Sequence, residues 1–574
     1  MTWQQVYKKW QEQPDLPGAL KANLAELATN PEQLEDAFYA PLEFGTAGMR
    51  GILGAGINRM NVYTVRQATE GLARFIETLD EPAKSRGVVI AYDSRHQSPE
   101  FGLEAARVLA NHQIKAYVFE SLRPTPELSF AVRELNCVAG IMITASHNPA
   151  AYNGYKVYGA DGGQMPPQDA DALTTFVRQI DNPLAIKIAA HSDQSPSEYI
   201  EIVGDKIDTT YLENIKSVSI DLELIKEYGK ELKLVFTPLH GTGKMLGERA
   251  LKQAGFEQFI LEPAQSIADP DFTTVKSPNP EELSAFEYAI RLGQAEGADL
   301  LVATDPDADR LGAAVRLPDG TYQVLTGNQI GALLIQYILT AKQDAGVLPA
   351  NGAVLKSIVS SEMATAICQK FDVEMINVLT GFKFIAEKIE EFEQTGSHTF
   401  IFGFEESYGY LVKSFVRDKD AIQTLLLLAE VAAFYKKKGQ TLYDGLQAIF
   451  AEYGYFEEKT ISVTMAGIEG AAKINALMAR ARTERATDFG GIAVVATEDF
   501  AAQERIFGDG SKESIDLPKA NVLKYLLEDG SWVAIRPSGT EPKIKFYIAA
   551  KAETQATVSQ KVVEITKAIE LLIQ

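Results

Sequence analysis

The chain has 574 residues, of which 46% are hydrophobic and 23% charged, and its formal net charge is −22. Such a length exceeds a single core, so three or four domains of a soluble globular protein are expected. The acidic balance argues against nucleic acid and anionic membrane as partners, and any phosphate site must be basic locally, against the global trend.

In chain order, Met1-Thr2-Trp3-Gln4-Gln5 is polar and lacks the apolar core of a signal peptide, so a cytoplasmic protein is expected. The first forty residues read as helical, with Trp3 and Trp10 as packing anchors. Apolar runs then open repeatedly into polar loops. Val88–Ala91 leads into Tyr92-Asp93-Ser94-Arg95, and Val138–Ile143 into Thr144-Ala145-Ser146-His147-Asn148-Pro149. Leu234–Phe236 leads into Thr237–Gly243, Leu300–Ala303 into Asp305–Arg310, and Phe400–Phe402 into a loop at Glu405. Helical patterns lie between them over Glu100–His112, Lys244–Ala254, Pro280–Ala295 and Gln329–Asp344. Strands alternating with helices predict mostly parallel sheets, with ligands gathered beyond the strands' carboxyl ends. Trp532–Ile535, Lys545–Ala550 and the helix Val558–Leu572 suggest a smaller α+β module at the end. The apolar stretch Leu425–Leu428 is cut by Glu430, far short of a membrane span. Cys137 and Cys368 sit in apolar surroundings and read as core.

Two loops carry chemistry. Ser146 sits at the mouth of a buried strand, ten residues before Lys156 on what reads as the same loop system, with Asn148-Pro149 and Asn153-Gly154 as turns. It is a candidate nucleophile with a proton carrier nearby; the alternative is a serine that only hydrogen-bonds its own turn. Asp305, Asp307 and Asp309 alternate in what reads as an extended segment, so their side chains can turn to one side. Three close carboxylates call for a cation, and oxygen-only donors favour Mg²⁺ over Ca²⁺ and Mn²⁺. An EF-hand is excluded because the glycine is misplaced and Arg316 occupies the twelfth position. A phosphatase-type Asp-x-Asp nucleophile and a solvated acidic turn remain alternatives.

These loops resemble those of the α-D-phosphohexomutases, the phosphoglucomutase and phosphomannomutase superfamily. Three further stretches fit the same pattern: Phe44-Gly45-Thr46-Ala47-Gly48-Met49-Arg50-Gly51, Gly403-Phe404-Glu405-Glu406-Ser407-Tyr408-Gly409, and Arg536-Pro537-Ser538-Gly539-Thr540-Glu541-Pro542-Lys543. Length, the N-terminal helices and the Glu405 loop are similar to the branch that holds phosphoglucomutases and phosphopentomutases. The resemblance implies three consecutive mixed or parallel α/β domains plus a smaller C-terminal α+β domain around a central cleft. Expected boundaries are 1–205, 206–318, 319–455 and 456–574.

The resemblance also implies roles. Ser146 would carry a phosphoryl group, and Asp305, Asp307 and Asp309 would hold one Mg²⁺ with a phosphoserine oxygen of Ser146. Lys156 would be the general acid/base, with its pKa lowered by clustered cations; His147 would bind phosphate or orient the loop, its side chain diverging from Ser146. Arg50 belongs with these catalytic residues, and Arg310 would touch the same phosphoryl group. Glu405 and Ser407 would meet sugar hydroxyls, with Lys419 and Lys383 as further substrate contacts. Arg536, Ser538, Gly539 and Thr540 would cradle the non-reacting phosphate, and Lys543 and Lys545 could be strand-edge charges instead. Arg95 is a further locally basic spot. Expected chemistry is the interconversion of glucose 1-phosphate and glucose 6-phosphate, with glucose 1,6-bisphosphate as intermediate and activator, by a monomer or small homo-oligomer. Pentose or mannose phosphate specificity, glucose 1,6-bisphosphate synthesis, a sugar-phosphate sensor and a phosphatase are the alternatives.

Overall fold

A computed structural model describes residues 2–44, 48–79, 82–192, 194–465, 468–538 and 543–573. The chain divides into two compact units. One comprises Met1–Ile330, Ile385–Gly403 and Ser407–Leu442; the other comprises Gly331–Phe384, Phe404–Glu406 and Tyr443–Gln574.

The first unit opens with three helices, Trp3–Gln11, Gly18–Leu27 and Pro31–Phe38. Trp10 is buried between Phe38 and Tyr63, at ring-centroid distances of 5.8 and 5.4 Å, as expected of an anchor. Among the described residues the first sheet has six strands, in the order Met49–Ile52, Tyr152–Tyr158, Ala139–Ile143, Val88–Tyr92, Ala116–Phe119, Ile200–Val203. The last four run parallel, and Tyr152–Tyr158 is antiparallel to Ala139–Ile143. Val88–Tyr92 and Ala139–Ile143 are buried at every position, which is why they read as unbroken apolar runs: helices cover both faces. Asn61 caps the helix Val62–Ile76 by accepting from the Tyr63 and Thr64 N–H groups.

The second sheet runs Tyr322–Val324, Leu311–Arg316, Leu300–Thr304, Leu234–Thr237, Phe259–Leu261. Leu300–Thr304 is parallel to Leu234–Thr237 and antiparallel to Leu311–Arg316. The helical pattern expected over Pro280–Ala295 is instead a 3-10 turn, Leu283–Phe286, followed by the helix Glu287–Glu296.

In the second unit, Gly352–Ser357 and Glu374–Val378 pair in parallel. The C-terminal part is larger in strands than its sequence suggests. Among the described residues its antiparallel sheet has eight strands, with Lys543–Ala552 paired to Tyr455–Thr464 on one side and to Trp532–Pro537 on the other. Lys543 and Lys545 therefore lie on an interior strand, not at an edge. The period-two alternation separates two cores. Val533, Ile535, Phe546 and Ile548 face the helices Ile468–Glu484 and Gln555–Ile573. Trp532, Ala534, Tyr547 and Ala549 pack instead with Ile358, Val359 and Leu379. Cys137 and Cys368 are free and buried, and burial pushes both thiols up to about 12. Among the described residues no helix is long and apolar enough to cross a membrane.

Candidate active site

In the first unit, two strand ends meet. Ser146 follows the strand Ala139–Ile143, buried and in the left-handed backbone region at φ 52°. That conformation costs a non-glycine residue strain, so its surroundings must hold it. The Thr144 hydroxyl accepts from the Ser146 N–H at 2.8 Å. The Ser146 hydroxyl donates to Asp305 Oδ2 at 2.7 Å. His147 Nδ1 lies 3.2 Å from Ser146 Oγ, so the two adjacent side chains do not diverge as expected. Left-handed Ser146 turns them to one side. Burial, and then Arg310 and Arg50, push the His147 imidazole well below its ordinary 6.5, leaving it neutral.

Asp305–Arg310 is a turn between the antiparallel strands Leu300–Thr304 and Leu311–Arg316, not an extended segment. Left-handed Ala308, at φ 50°, closes it, and the Ala308 N–H donates to the Asp305 carbonyl at 2.9 Å. All three aspartates are buried, and they offer carboxylate oxygens within 4.8 Å of one another. Asp307 Oδ1 and Asp309 Oδ1 are buried without a hydrogen-bond partner among the described residues. Burial, with Asp307 and Asp309 alongside, pushes Asp305 well up. Burial and Asp307 raise Asp309. Asp307 is held below the usual carboxylate range: burial would raise it, but Lys156 and its hydrogen bonds prevail. Oxygen-only donors with orphaned lone pairs suit a hard divalent cation, so the triad is able to bind a metal.

Lys156 is on the strand Tyr152–Tyr158 and not in a loop, so the expected Asn153-Gly154 turn is absent. Gly154 is needed for close approach: a Cβ there would lie 2.4 Å from the Thr144 carbonyl oxygen. Lys156 Nζ sits 2.9 Å from Asp307 Oδ2 and 3.7 Å from Asp309 Oδ2. Burial alone would lower its pKa, but the two carboxylates outweigh burial and raise it, contrary to the expectation of cation clustering. Lys419 Nζ lies 3.1 Å from Asp309 Oδ2 and 3.0 Å from Asp418 Oδ1. Two ammonium groups thus flank the triad. Gly48 abuts this strand at φ 88°, where a Cβ would lie 2.0 Å from the Tyr155 carbonyl oxygen. Arg50 donates to Asn148 Oδ1 at 2.9 Å, which puts it on the serine loop. Arg310 pairs with Glu281 at 2.6 Å. Ser407 is half-buried in the turn that precedes the strand Gly409–Leu411.

Two contributors to this site were not singled out in the sequence. Thr125 heads the helix Thr125–Glu134 and grips Asp307 twice, N–H to carbonyl at 2.9 Å and Oγ1 to Oδ2 at 2.9 Å. Asp418 accepts from the Tyr158 hydroxyl at 2.8 Å and holds Lys419. Their only sequence signals were a Pro-Thr-Pro helix start and the alternation in Asp418-Lys419-Asp420. Arg95, read from the sequence as a locally basic spot, is buried and turned toward backbone carbonyls of the serine loop.

The second unit holds Lys383, Glu405, Arg536 and Ser538. Glu405 Oε1 accepts from the Gly381 N–H at 2.7 Å. Its neighbour Glu406, which reads equally well as a solvated acid, is fixed: Oε2 accepts from Ser357 at 2.8 Å and from Ser360 at 3.3 Å. Lys383 Nζ lies 5.1 Å over the Phe384 ring. Arg536 and Lys545 are cross-strand partners, and the Ser538 N–H donates to the Lys543 carbonyl at 2.8 Å. Gly539, Thr540, Glu541 and Pro542 of this loop lie outside the described residues, as do Gly45, Thr46 and Ala47 of the opening motif.

The sequence matches the four successive domains of one family. Residues 41–184, 209–318 and 326–453 match the phosphoglucomutase/phosphomannomutase alpha/beta/alpha domains I, II and III, and residues 474–567 match its C-terminal domain. A phosphoglucomutase of Staphylococcus aureus (strain USA300) is 42% identical over 545 residues, covering 95% of this chain and 96% of the relative. Among solved structures, the open form of parafusin, a phosphoglucomutase of Paramecium, superimposes with a TM-score of 0.67 at 18% identity, over 93% of this chain and 94% of its own. A phosphoglucomutase/phosphomannomutase family protein of Burkholderia thailandensis gives 0.63 at 18% identity, over 92% and 97%. The chain belongs to the phosphoglucomutase/phosphomannomutase family. With that membership, the fold of three α/β domains and a C-terminal domain holds for the whole chain.

Proposed function

We propose that this protein is a phosphoglucomutase, an intramolecular phosphotransferase that interconverts α-D-glucose 1-phosphate and D-glucose 6-phosphate through a phosphoserine and glucose 1,6-bisphosphate. The observation that carries the reading is Ser146 Oγ at 2.7 Å from Asp305 in a buried acidic triad. The 42% identity to a phosphoglucomutase across nearly the whole chain sets the choice of sugar.

Ser146 is the phosphoryl carrier. A serine phosphoester is kinetically inert until its charge is neutralised and an in-line hydroxyl is placed against it. Asp305, Asp307 and Asp309 hold one Mg²⁺, which supplies charge neutralisation to the phosphoryl oxygens when bound. Lys156, on the same carboxylate triad as Ser146, is the general acid/base that carries the proton of the reacting hydroxyl. Lys156 Nζ donates to Asp307 Oδ2 at 2.9 Å, and that contact holds the proton at the ammonium. Neutral His147 offers a hydrogen bond to the serine oxygen, and Arg50 and Arg310 add positive charge against phosphate. Glu405 and Ser407 are assigned to sugar hydroxyls, and Lys419 and Lys383 to further substrate contacts. Arg536, Ser538, Gly539 and Thr540 take the phosphate that does not react.

Family membership keeps one rival alive, the same chemistry on mannose phosphate. Turnover measured on a panel of aldose 1-phosphates, each with its own bisphosphate, decides. The reading expects glucose 1-phosphate to have the highest kcat/KM, with isomerisation and no net phosphate release. A higher kcat/KM for another sugar, or stoichiometric release of phosphate, overturns it.

A further inference from the structure

The Arg95 side chain is fully buried and makes an unusual set of contacts. Nη1 donates to the Pro149 carbonyl at 2.9 Å and to the Tyr152 carbonyl at 3.1 Å. Nη2 donates to the Asn148 carbonyl at 2.6 Å and also to the Ser146 carbonyl. One guanidinium therefore gathers four carbonyls from a seven-residue stretch that begins at the candidate nucleophile. The Pro149 carbonyl also accepts from the Tyr152 N–H at 3.0 Å, and Tyr152 opens the strand Tyr152–Tyr158. A carbonyl of this loop left buried and unpaired would carry a desolvation penalty.

Two further groups, Asp93 and Phe272, fix the guanidinium itself. Asp93 lies 3.2 Å from Arg95 Nε, and its carboxylate also accepts from Thr144 Oγ1 at 2.7 Å and Ser98 Oγ at 2.8 Å. Thr144 in turn accepts from the Ser146 N–H, so Asp93 and Arg95 hold the serine from both sides of its backbone. The Phe272 ring covers the guanidinium at 4.9 Å to its centroid. Phe272 belongs to a loop tied down by Asp269, whose carboxylate accepts from the Asp271 and Thr273 N–H groups.

We propose that Arg95 is the positioning residue of the nucleophile loop: its planar fork organises four loop carbonyls so that Ser146 stays in its left-handed conformation with Oγ aimed at Asp305. Arg95 touches neither substrate nor the reacting atoms in this assignment. Its charge is neutralised internally by Asp93, so it contributes little to phosphate affinity. Its shape is what matters. A lysine keeps the charge and presents three donors from one point, and it cannot reach carbonyls spread across a fork. This inference rests on the reading of Ser146 as the phosphoryl carrier.

Arg95→Lys is the informative variant, because Arg95→Ala would leave Asp93 buried and unpaired and endanger the fold. Two rates are measured on the full chain: turnover of glucose 1-phosphate, and single-turnover phosphorylation of Ser146 by glucose 1,6-bisphosphate. Mn²⁺ titration and thermal melting run alongside. Displacing a nucleophile by about an ångström costs on the order of 100-fold, so both rates are expected to fall by roughly that factor. KM for the sugar phosphate and the Mn²⁺ dissociation constant stay within about threefold, and the variant melts cooperatively. Wild-type rates overturn the proposal. So does a raised KM with unchanged kcat, which would make Arg95 a phosphate ligand. So does loss of Mn²⁺ binding and of the melting transition together with activity, which would make it general scaffold. Failure of the wild-type protein to isomerise glucose 1-phosphate would count against the substrate reading instead, and the Ser146 phosphorylation rate still tests Arg95 by itself.

Discussion

Ser146 and Asp305, 159 residues apart in the chain, are joined by a hydrogen bond of 2.7 Å from Oγ to Oδ2. One lies in the loop after a strand of the first sheet and the other begins the turn after a strand of the second. A hydroxyl placed against a buried carboxylate triad holds the position that a phosphoryl group on that hydroxyl needs for cation-assisted transfer. The predictions below follow from what holds each partner there.

Asp307 is gripped by Thr125 through backbone and side chain, and its second oxygen has no hydrogen-bond partner among the described residues. Chelation should abolish mutase activity, with Mg²⁺ restoring it. Asp307→Asn should raise the half-saturating metal concentration by about tenfold or more, since a charged ligand is lost. Thr125→Val removes one hydrogen bond to a charged group, worth about 1.5–3 kcal/mol, and should weaken Mn²⁺ binding by roughly 10-fold or more. Isothermal titration reads this directly. Unchanged Mn²⁺ affinity in Thr125→Val would show that the helix start does not set the aspartate.

Glu406 is pinned by Ser357 and Ser360, and its own N–H donates to Ser360 Oγ at 3.1 Å. That holds the backbone next to Glu405. Ser360→Ala should raise KM for glucose phosphates by about 3–10-fold, the worth of about one hydrogen bond, with a smaller change in kcat. Steady-state kinetics check it, and an unchanged KM would detach Glu406 from sugar recognition.

His112, at the end of the helix Ser98–Asn111, ties it to the helix Val62–Ile76. Nε2 is 2.8 Å from Glu70 Oε2 and Nδ1 is 3.1 Å from Glu77 Oε1, with Arg74 and Lys84 pairing the same carboxylates. The Glu70 hydrogen bond raises the His112 pKa above 6.5; burial opposes it and Glu77 adds to it. Glu70 is lowered below 4.5, first by that same hydrogen bond. A raised histidine contributes stability that is complete below its unfolded pKa and is lost as pH rises through the folded one. A lowered glutamate contributes above its unfolded pKa and loses it as pH falls through the folded one. The cluster therefore stabilises most between about 4.5 and 6.5. His112→Gln should lower Tm more at pH 6 than at pH 9; equal losses at both would contradict a charged His112.

The parallel strands were legible because residues buried on both faces must be apolar throughout, as in Val88–Ala91 and Leu300–Ala303. The five loops were legible because their residue types sit where such strands end. Lys156 was misplaced in a loop because Asn153-Gly154 carries the signal of a turn, while here Gly154 serves close packing against Thr144. The convergence of the three aspartates was credited to an extended backbone, but it comes from left-handed Ala308, a conformation that alanine does not advertise. The C-terminal sheet was underread because strands such as Tyr455–Thr464 are half-exposed, and their charged residues hide the alternation. Thr125 and Asp418 act through partners far away in the chain, so a Pro-Thr-Pro helix start and an Asp-Lys-Asp alternation did not single them out, and Arg95 stood out by its charge in a loop while its carbonyl partners did not.

Phosphorylation of Ser146 is the central claim, and peptide mass spectrometry after incubation with glucose 1,6-bisphosphate and Mg²⁺ tests it most directly. The account predicts one phosphoryl group on the peptide that contains Ser146, removed on adding glucose phosphate, and neither label nor turnover in Ser146→Ala. A Ser146→Ala protein that still isomerises glucose 1-phosphate, or a label found on another residue, would contradict it.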